Sequence, residues 1–429
     1  MYHIARVAID GFWETHSVEL LLFPEVTFLI GQNGTGKTTL INLLAAALTA
    51  DFRTLDRLPF KKISIHFTGG EKGAAPRIVV NKSKRADRPF ELIEYRVKPA
   101  GAGSQEVKYS LDDIEEQLVM RRAVSDPRSL REFYRHMSSG LLIKLREIAE
   151  VNWLSVHRAP TSDRSREERS YDSAVDQRLE GLSNDLVRFF STLSQQKDVE
   201  VRSFQESIFV SLIAQSELKL ENQQDLDKLD GFADAIQNIF QELHVAKDQT
   251  EPLIRSFLER ARAVKAHLAD ANKGGFLLDD ALLLLDLRRI SSVVDRWNKL
   301  QERLATVFAP RDKWRQIVNE LFRRKTMNLT DSNELQFVSR TGKILTASML
   351  SSGEKQLLIL LSETLLQRER PAIFIADEPE LSLHVLWQEK LVASLRQLNP
   401  SAQLIIATHS PDIVGPLAGH AIDMETLIP

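Results

Sequence analysis

Apolar and polar positions fall into blocks that divide the chain into three stretches. The first thirty residues read as strands: IARVAI, a Gly-Phe-Trp turn, SVELLLF, and VTFLI at 26–30. The unbroken apolar run of VTFLI suits a buried strand. TLINLLAAAL, from Thr39, then takes a helical, Leu- and Ala-rich pattern. Between 61 and 110, KISIHF, RIVVNK, FELIEYRV and EVKYSL alternate apolar and polar residues across Gly-rich turns at 68–75 and 100–104. That alternation predicts an antiparallel meander. Helical spacing covers 111–150, and VNWLSVHRAP at 151–160 reads as another strand.

The middle stretch changes character. TSDRSREERSYDS (161–173) is polar and mixed in charge, as a loop would be. From 174 to 324 the pattern is helical, with breaks expected at Thr250-Glu251-Pro252, at 272–275 and at Ala309-Pro310. No heptad is sustained over four repeats, so a compact helical insertion is expected rather than a long coiled coil. After it, 328–350 reads as a hairpin with strands at 333–338 and 343–347 and Thr341-Gly342 at its turn. A helix over 349–366, a strand PAIFIADEP (371–379) and a strand LIIATHS (404–410) complete the chain.

Composition narrows the chemistry. The 429 residues are 43% hydrophobic and 27% charged, with 56 Lys plus Arg against 59 Asp plus Glu, a net charge of −3. This excludes a uniformly basic nucleic-acid coat, although basic clusters stand at Arg121–Arg135, at Arg158–Arg169 and at Arg311–Lys325. Solvated helix faces explain such clusters equally well. With no cysteine, disulfides, cysteine-bound zinc, iron–sulfur clusters and thiol nucleophiles are excluded. No run is apolar enough to cross a bilayer, and the N-terminus lacks a signal-peptide pattern, so a cytoplasmic protein without membrane partners is expected.

Four segments carry chemistry. GQNGTGKT, with Gly31, Gln32, Asn33, Gly34, Thr35, Gly36, Lys37 and Thr38, followed by Thr39, stands between a strand and a helix. That is the setting of a phosphate-binding loop: glycines let N–H groups converge on an anion, and the helix N-terminus adds its dipole. Lys37 would reach the β- and γ-phosphates and Thr38 would hold Mg²⁺. Asp377-Glu378 at the end of an apolar strand offers a second Mg²⁺ ligand, Asp377, and a group to activate water, Glu378. Such a strand is expected beside the phosphate-loop strand. Ser351, Ser352 and Gly353 form a small-residue turn into a helix, able to meet an anion or simply to cap that helix. His409 ends the last strand, where an imidazole could bond a γ-phosphate.

The order GQNGTGKTT, LSSGEKQ, IFIADEPELSLH, ATHS resembles the ATP-binding-cassette series, and in detail the SMC/RecF/OLD-like branch. The resemblance covers about 50 residues at the start and about 85 at the end. It implies an α/β head, a phosphate-loop sheet plus an antiparallel lobe, built from 1–160 and 326–429 around a helical insertion at 161–325. It further implies two heads that sandwich ATP and Mg²⁺. One head would supply Gly31–Thr38, Asp377, Glu378 and His409; the other would supply Ser352 and Gly353, small because a facing subunit presses on them. The loop Glu380–His384 would then lie at the dimer seam. The family's glutamine loop is not assigned here; His157, Arg158 and Gln105 are the candidates, as Phe12, Trp13 and His16 are for stacking on adenine.

The phrase EPELSLHVLWQ (378–388) is similar to that of OLD-like and anti-phage ATPases. It implies a sensor or scaffold subunit of a defence complex controlling a separate nuclease or toxin, triggered by DNA or by a phage protein. No acidic nuclease site follows His409 in the remaining 20 residues, so a nuclease is expected as another subunit. A DNA-repair ATPase of RecF type that binds DNA directly is the alternative.

Overall fold

The computed structural model describes residues 2–70, 75–84, 91–101, 103–110, 140–154, 174–213, 229–242, 245–269 and 278–428. The chain forms two compact units, Met1–Val187 with Lys313–Pro429, and Arg188–Asp312.

The first unit is a mixed α/β assembly of three sheets. Strands β1 (Tyr2–Phe12), β2 (His16–Leu21) and β3 (Val26–Ile30) lead into α1 (Lys37–Thr49) and α2 (Phe52–Arg57). The antiparallel meander follows as β4 (Lys62–Gly69), β5 (Arg77–Lys84), β6 (Glu91–Lys98) and β7 (Val107–Ser110), and joins β1 and β2 in the order β2-β1-β4-β5-β6-β7. After a helix, α3 (140–148), comes β8 (Glu150–Leu154). The four helices α4 (Ala174–Ile213), α5 (Leu229–Glu242), α6 (Lys247–Ala269) and α7 (Leu278–Leu321) occupy the middle of the chain. Then β9 (Lys325–Leu329), β10 (Leu335–Ser339) and β11 (Ile344–Leu345) form a small antiparallel sheet. The chain closes with α8 (Ser352–Leu366), β12 (Ala372–Asp377), α9 (Val385–Leu398), β13 (Gln403–Ala407), α10 (Pro411–Val414), β14 (Ala421–Asp423) and α11 (Met424–Leu427).

Five strands, β14-β3-β13-β12-β8, make the parallel sheet. Here the sequence expectation needs correction. The Asp377 strand β12 does not adjoin the phosphate-loop strand β3, because β13 lies between them, with Ile375 opposite Ile405 and Ile405 opposite Thr27. The crossover through α9 returns the chain on the β3 side, so the strand that leads to His409 is the central one. All five residues of β13 are buried, which is what a central parallel strand covered on both faces requires.

The sheet's partner is α1, apolar on nearly every side and buried from Leu40 to Leu48 apart from Asn42. One continuous core joins Leu40, Leu43 and Leu44 of α1 to Ile375 and Ile405 of the parallel sheet and to Ile63, Val80 and Tyr95 of the antiparallel one. Two buried polar side chains are paired within it or at its edge. Tyr95 donates to the Ala47 carbonyl at 3.1 Å. Gln403 accepts from Ile4 N and donates to Ile4 O and Phe23 O, each at 2.8 Å, tying the first strand to the last buried one.

Two expected breaks are absent. Pro252 lies inside α6 and Pro310 inside α7. A proline removes one N–H bond and crowds one carbonyl, which bends a helix without ending it when packing holds both sides. The second unit has its own core, in which Phe204 meets Trp297 edge-on at 5.5 Å, with Leu258, Ala261 and Leu287 around them. Its limits, Arg188–Asp312, fall inside the span 161–325 read from the sequence. Residues 155–160, which include His157 and Arg158, lie outside the described residues, as do the basic clusters at 121–135 and 158–169.

Candidate functional site

The loop after β3 rises into α1 through Gly36, whose φ of 87° only glycine adopts freely. A side chain there would also strike Phe12 and Trp13 at 3.0 Å, so the aromatic turn after β1 is packed directly against the loop. Phe12 is fully buried in that contact, while Trp13 is 36% exposed and stacks on Phe12 at 5.0 Å and edge-on to His16 at 6.5 Å. Core packing accounts for Phe12. Trp13 and His16 keep exposed surface beside the loop.

Gln32, Asn33 and Gly34 form the exposed tip, and Thr35 closes it by donating to Gln32 O at 2.9 Å. The Lys37 ammonium turns back to Gly31 O at 2.7 Å and Gln32 O at 2.8 Å. It is buried, which lowers its pKa against the opposing pull of Glu378, Asp377, Glu425 and Glu380. Lys37 is thus a cation held under the loop among carboxylates, poised for an anion of higher charge density. Thr38 donates to Asp377 Oδ1 at 3.1 Å across 339 residues of sequence. Thr39 is half-buried in the first turn of α1.

Thr38 and Asp377 supply a hydroxyl and a carboxylate, the oxygen donors that Mg²⁺ prefers. Among the described residues no group of three or more His, Cys, Asp or Glu side chains could hold a metal. Burial raises the Asp377 carboxyl; the Thr38 bond opposes this, and Glu378 and Glu380 add to it.

Glu378 follows Asp377 with φ of 47°, a left-handed conformation unusual for glutamate. Its N–H donates to Ala407 O at 2.9 Å, which locks the turn to β13. Glu378 therefore leaves the strand direction and meets His409, Oε1 to Nε2 at 3.7 Å. Backbone strain of this kind costs about 1–3 kcal/mol and is kept where geometry matters. A carboxylate and an imidazole side by side, next to the Thr38–Asp377 pair, can take a proton from water and bond an anionic oxygen.

The turn at Ser351–Gly353 caps its helix, one of the two roles the sequence allowed. Ser351 is the N-cap of α8, its Oγ accepting from Glu354 N and its own N–H donating to Glu354, a full capping box. Ser352 is exposed. Gly353 is buried against its own chain: a Cβ would lie 2.3 Å from Ser382 O. The smallness attributed to a facing subunit thus has a sufficient cause within the chain. The loop Glu380–His384 is likewise divided, with Glu380 and Leu383 buried and Leu381, Ser382 and His384 exposed.

Sequence reasoning missed three residues that hold the site. Glu380 accepts from Thr408 and from the backbone of His409 and Ser410. Gln356 of α8 donates to Pro379 O at 2.8 Å. Glu425 of α11 accepts from Gln32 N at 3.0 Å. Glu380 carried a signal, as the third acid of Asp377-Glu378-Pro379-Glu380, and Gln356 closes the motif LSSGEKQ. Of the basic clusters, the third has described partners: Lys325 pairs with Glu354 at 2.6 Å and Arg311 with Asp312 at 2.9 Å. Gln105 is exposed in the connection before β7. No helix among the described residues is long and apolar enough to cross a membrane.

Residues 26–415 match the family described as "AAA domain, putative AbiEii toxin, Type IV TA system". Among solved structures, the chain is similar to an Smc head domain with an extended coiled coil, bound to the C-terminal domain of ScpA, from Pyrococcus furiosus. That match has 12% identity, covers 99% of this chain and 94% of that one, and has a TM-score of 0.39. An SmcHead bound to the C-winged helix domain of ScpA matches at 12% identity, with 96% and 90% covered and a TM-score of 0.38. An Smc head domain with a coiled coil and joint from Pyrococcus yayanosii matches at 14% identity, with 96% and 93% covered and a TM-score of 0.35.

Proposed function

The chain belongs to this AAA-domain family, and from that premise we propose that it binds and hydrolyses ATP with Mg²⁺. The observation that carries the proposal is the Thr38–Asp377 bond, 3.1 Å long, which joins the two ends of the sequence beside the Glu378–His409 pair. Gly31–Thr38 cradle the phosphates through backbone N–H groups, and Lys37 exchanges its loop carbonyls for phosphate oxygens. Thr38 and Asp377 would hold Mg²⁺, which would supply charge neutralisation at the phosphates. Glu378 takes the proton of the attacking water, and His409 holds that carboxylate in place and donates toward the γ-phosphate.

Hydrolysis acts in a pair of heads. Ser351 and Ser352 are exposed at the α8 N-terminus, and so, each at least 36%, are Met349 just before it and Leu381, Val385 and Leu386 in the segment around Ser382, whose carbonyl lies against Gly353. An apolar rim around a helix N-terminus is suited to close on a second copy whose bound ATP offers the anion. The purified chain should hydrolyse ATP. Lys37→Ala should lose nucleotide binding, and Glu378→Gln should keep binding but trap the associated state in light scattering. Turnover by Glu378→Gln at the wild-type rate would overturn the assignment.

The family's description as a toxin of a type IV toxin–antitoxin system, and the run Glu378–His384, support a defence role. In it the ATPase senses a phage trigger and controls a separate nuclease or toxin subunit. Co-expression with neighbouring genes should copurify that effector. Full protection against phage by the Lys37→Ala chain would refute this part while leaving the ATPase untouched.

A further inference from the structure

The Glu380 carboxylate stands apart from the groups assigned above. It is 8% exposed, and its Oε1 accepts three hydrogen bonds: from Thr408 Oγ1 at 2.6 Å, His409 N at 2.8 Å and Ser410 N at 3.3 Å. Its Oε2 is buried without a hydrogen-bond partner among the described residues. Burying a carboxylate is costly, and this one lies among carboxylates, where it adds to the upward push on Asp377. A neutral acceptor could cap the short helix after Ser410 at lower cost. Ser410 already caps it, its Oγ accepting from Asp412 N and Ile413 N.

The three donors flank one residue. Thr408, His409 and Ser410 are gripped on both sides of the His409 Cα, and Ser410 Oγ is further fixed by donating to Gln388 Oε1 at 2.6 Å. With the backbone so pinned, the imidazole has little freedom except rotation about its own bonds, and its Nε2 faces Glu378 Oε1 at 3.7 Å. The other end of the same short loop is fixed as well. Pro379 O accepts from Gln356 of α8, and Ser382 O lies on Gly353 of α8. Glu380 is therefore the link through which the α8 N-terminus and the His409 turn share one rigid connection.

We propose that Glu380 is a positioning residue for hydrolysis, setting the His409 ring on the Glu378 carboxylate and tying that setting to α8. The proposal rests on the ATPase reading given above. Preorganisation of this kind acts on the reacting geometry rather than on substrate affinity.

The test is a kinetic cycle on the full chain, with phosphate release from ATP measured for wild type, Glu380→Ala, Glu380→Gln, His409→Ala and Glu380→Ala/His409→Ala. Glu380→Ala should lower kcat about tenfold or more while KM stays within about twofold. Glu380→Gln keeps an oxygen for the three donors and should retain about a third of kcat or better. The double variant should be within about twofold of His409→Ala, since residues acting as one unit do not add. If Glu380→Ala fails to fold, Glu380→Asp, one methylene short of its donors, takes its place in the cycle with the same expected loss. Losses that multiply in the double variant, a change confined to KM, or Glu380→Gln as poor as Glu380→Ala would each overturn the positioning role. A wild-type chain that turns over no ATP would overturn the ATPase reading and this proposal together, so the two failures are distinguishable.

Discussion

Replacing Gly353 by alanine separates an intrachain role for this residue from an intersubunit one. Gly353 is the second residue of α8, and alanine is ordinarily the better helix residue by about 0.5–1 kcal/mol. Gly181 in α4 is the control, because nothing lies within 4 Å of a Cβ built there. At Gly353 a Cβ would stand 2.3 Å from the Ser382 carbonyl oxygen, about 1 Å short of an ordinary C···O contact of about 3.3–3.6 Å. The obstacle is backbone, and Ser382 has φ of 71°, so the loop has little slack to retreat. Overpacking of this kind costs about 1–3 kcal/mol. Net of the helix gain, Gly353→Ala should destabilise the chain by up to about 2.5 kcal/mol, whereas Gly181→Ala should stabilise it by about 0.5–1 kcal/mol. Calorimetry on the nucleotide-free chain reads both signs. A Gly353→Ala chain stabilised as much as Gly181→Ala would refute the packing argument, and would return the small residue to a role seen only against a second copy.

Three further outcomes follow from buried polar groups. Gln403→Leu leaves Ile4 N, Ile4 O and Phe23 O without their partner and should cost about 2–4 kcal/mol in denaturant unfolding; a loss under 1 kcal/mol would contradict it. The Lys82 ammonium donates to Asp56 O at 2.6 Å and pairs with Glu91 at 2.9 Å, and that bond holds the Glu91 carboxyl below its ordinary 4.5. A depressed acid stabilises the fold above its unfolded value and loses that contribution as pH falls through the folded one, so Glu91→Gln should lower stability most at neutral pH, change it least in strong acid, and so flatten the acid limb below about 4.5; an equal loss at neutral and strongly acid pH would contradict this. Asp377 has the opposite sign: its folded pKa is raised, so the nucleotide-free chain gains stability as pH falls through it. Asp377→Asn should therefore raise the melting temperature at neutral pH while abolishing Mg²⁺-dependent turnover, and a lowered melting temperature would refute this.

Much of the fold was legible because its signals are local. The alternation in KISIHF and RIVVNK is the period of a strand with one buried face, and those segments are β4 and β5. The apolar runs VTFLI and AIFIAD are strands β3 and β12, buried on both faces apart from their last residues. Strand order is not local, and the insertion of β13 between β3 and β12 depends on where α9 returns the chain. The prolines misled for a related reason. Pro252 and Pro310 announce a broken helix, yet each removes only one hydrogen bond, which packing outweighs. At the site, Gly31–Thr38 and Asp377-Glu378 could be read because their chemistry demands residue types at fixed spacing. Their meeting at Thr38 and Asp377 was implied by that chemistry alone. The bond from Gln356 to Pro379 and the role of Glu425 could not be read, since the first joins separate elements and a glutamate near an end fits any solvated surface.

The site's architecture is concentrated in seven residues. From Glu378 to His384 the chain holds two left-handed non-glycine positions, Glu378 and Ser382. It also holds a carboxylate buried under three donors and a carbonyl that excludes any side chain from Gly353. Each of these alone costs free energy, and none is needed to close a β–α connection. Together they join β12, β13 and the N-terminus of α8 into one body, so a displacement at Ser352 cannot occur without moving Glu378 or His409. A loop that linked only strand to helix would tolerate relaxation of Ser382 and Glu378 into ordinary conformations. That it is held in this strained form is the physical reason to expect the exposed serines and the Glu378–His409 pair to move together.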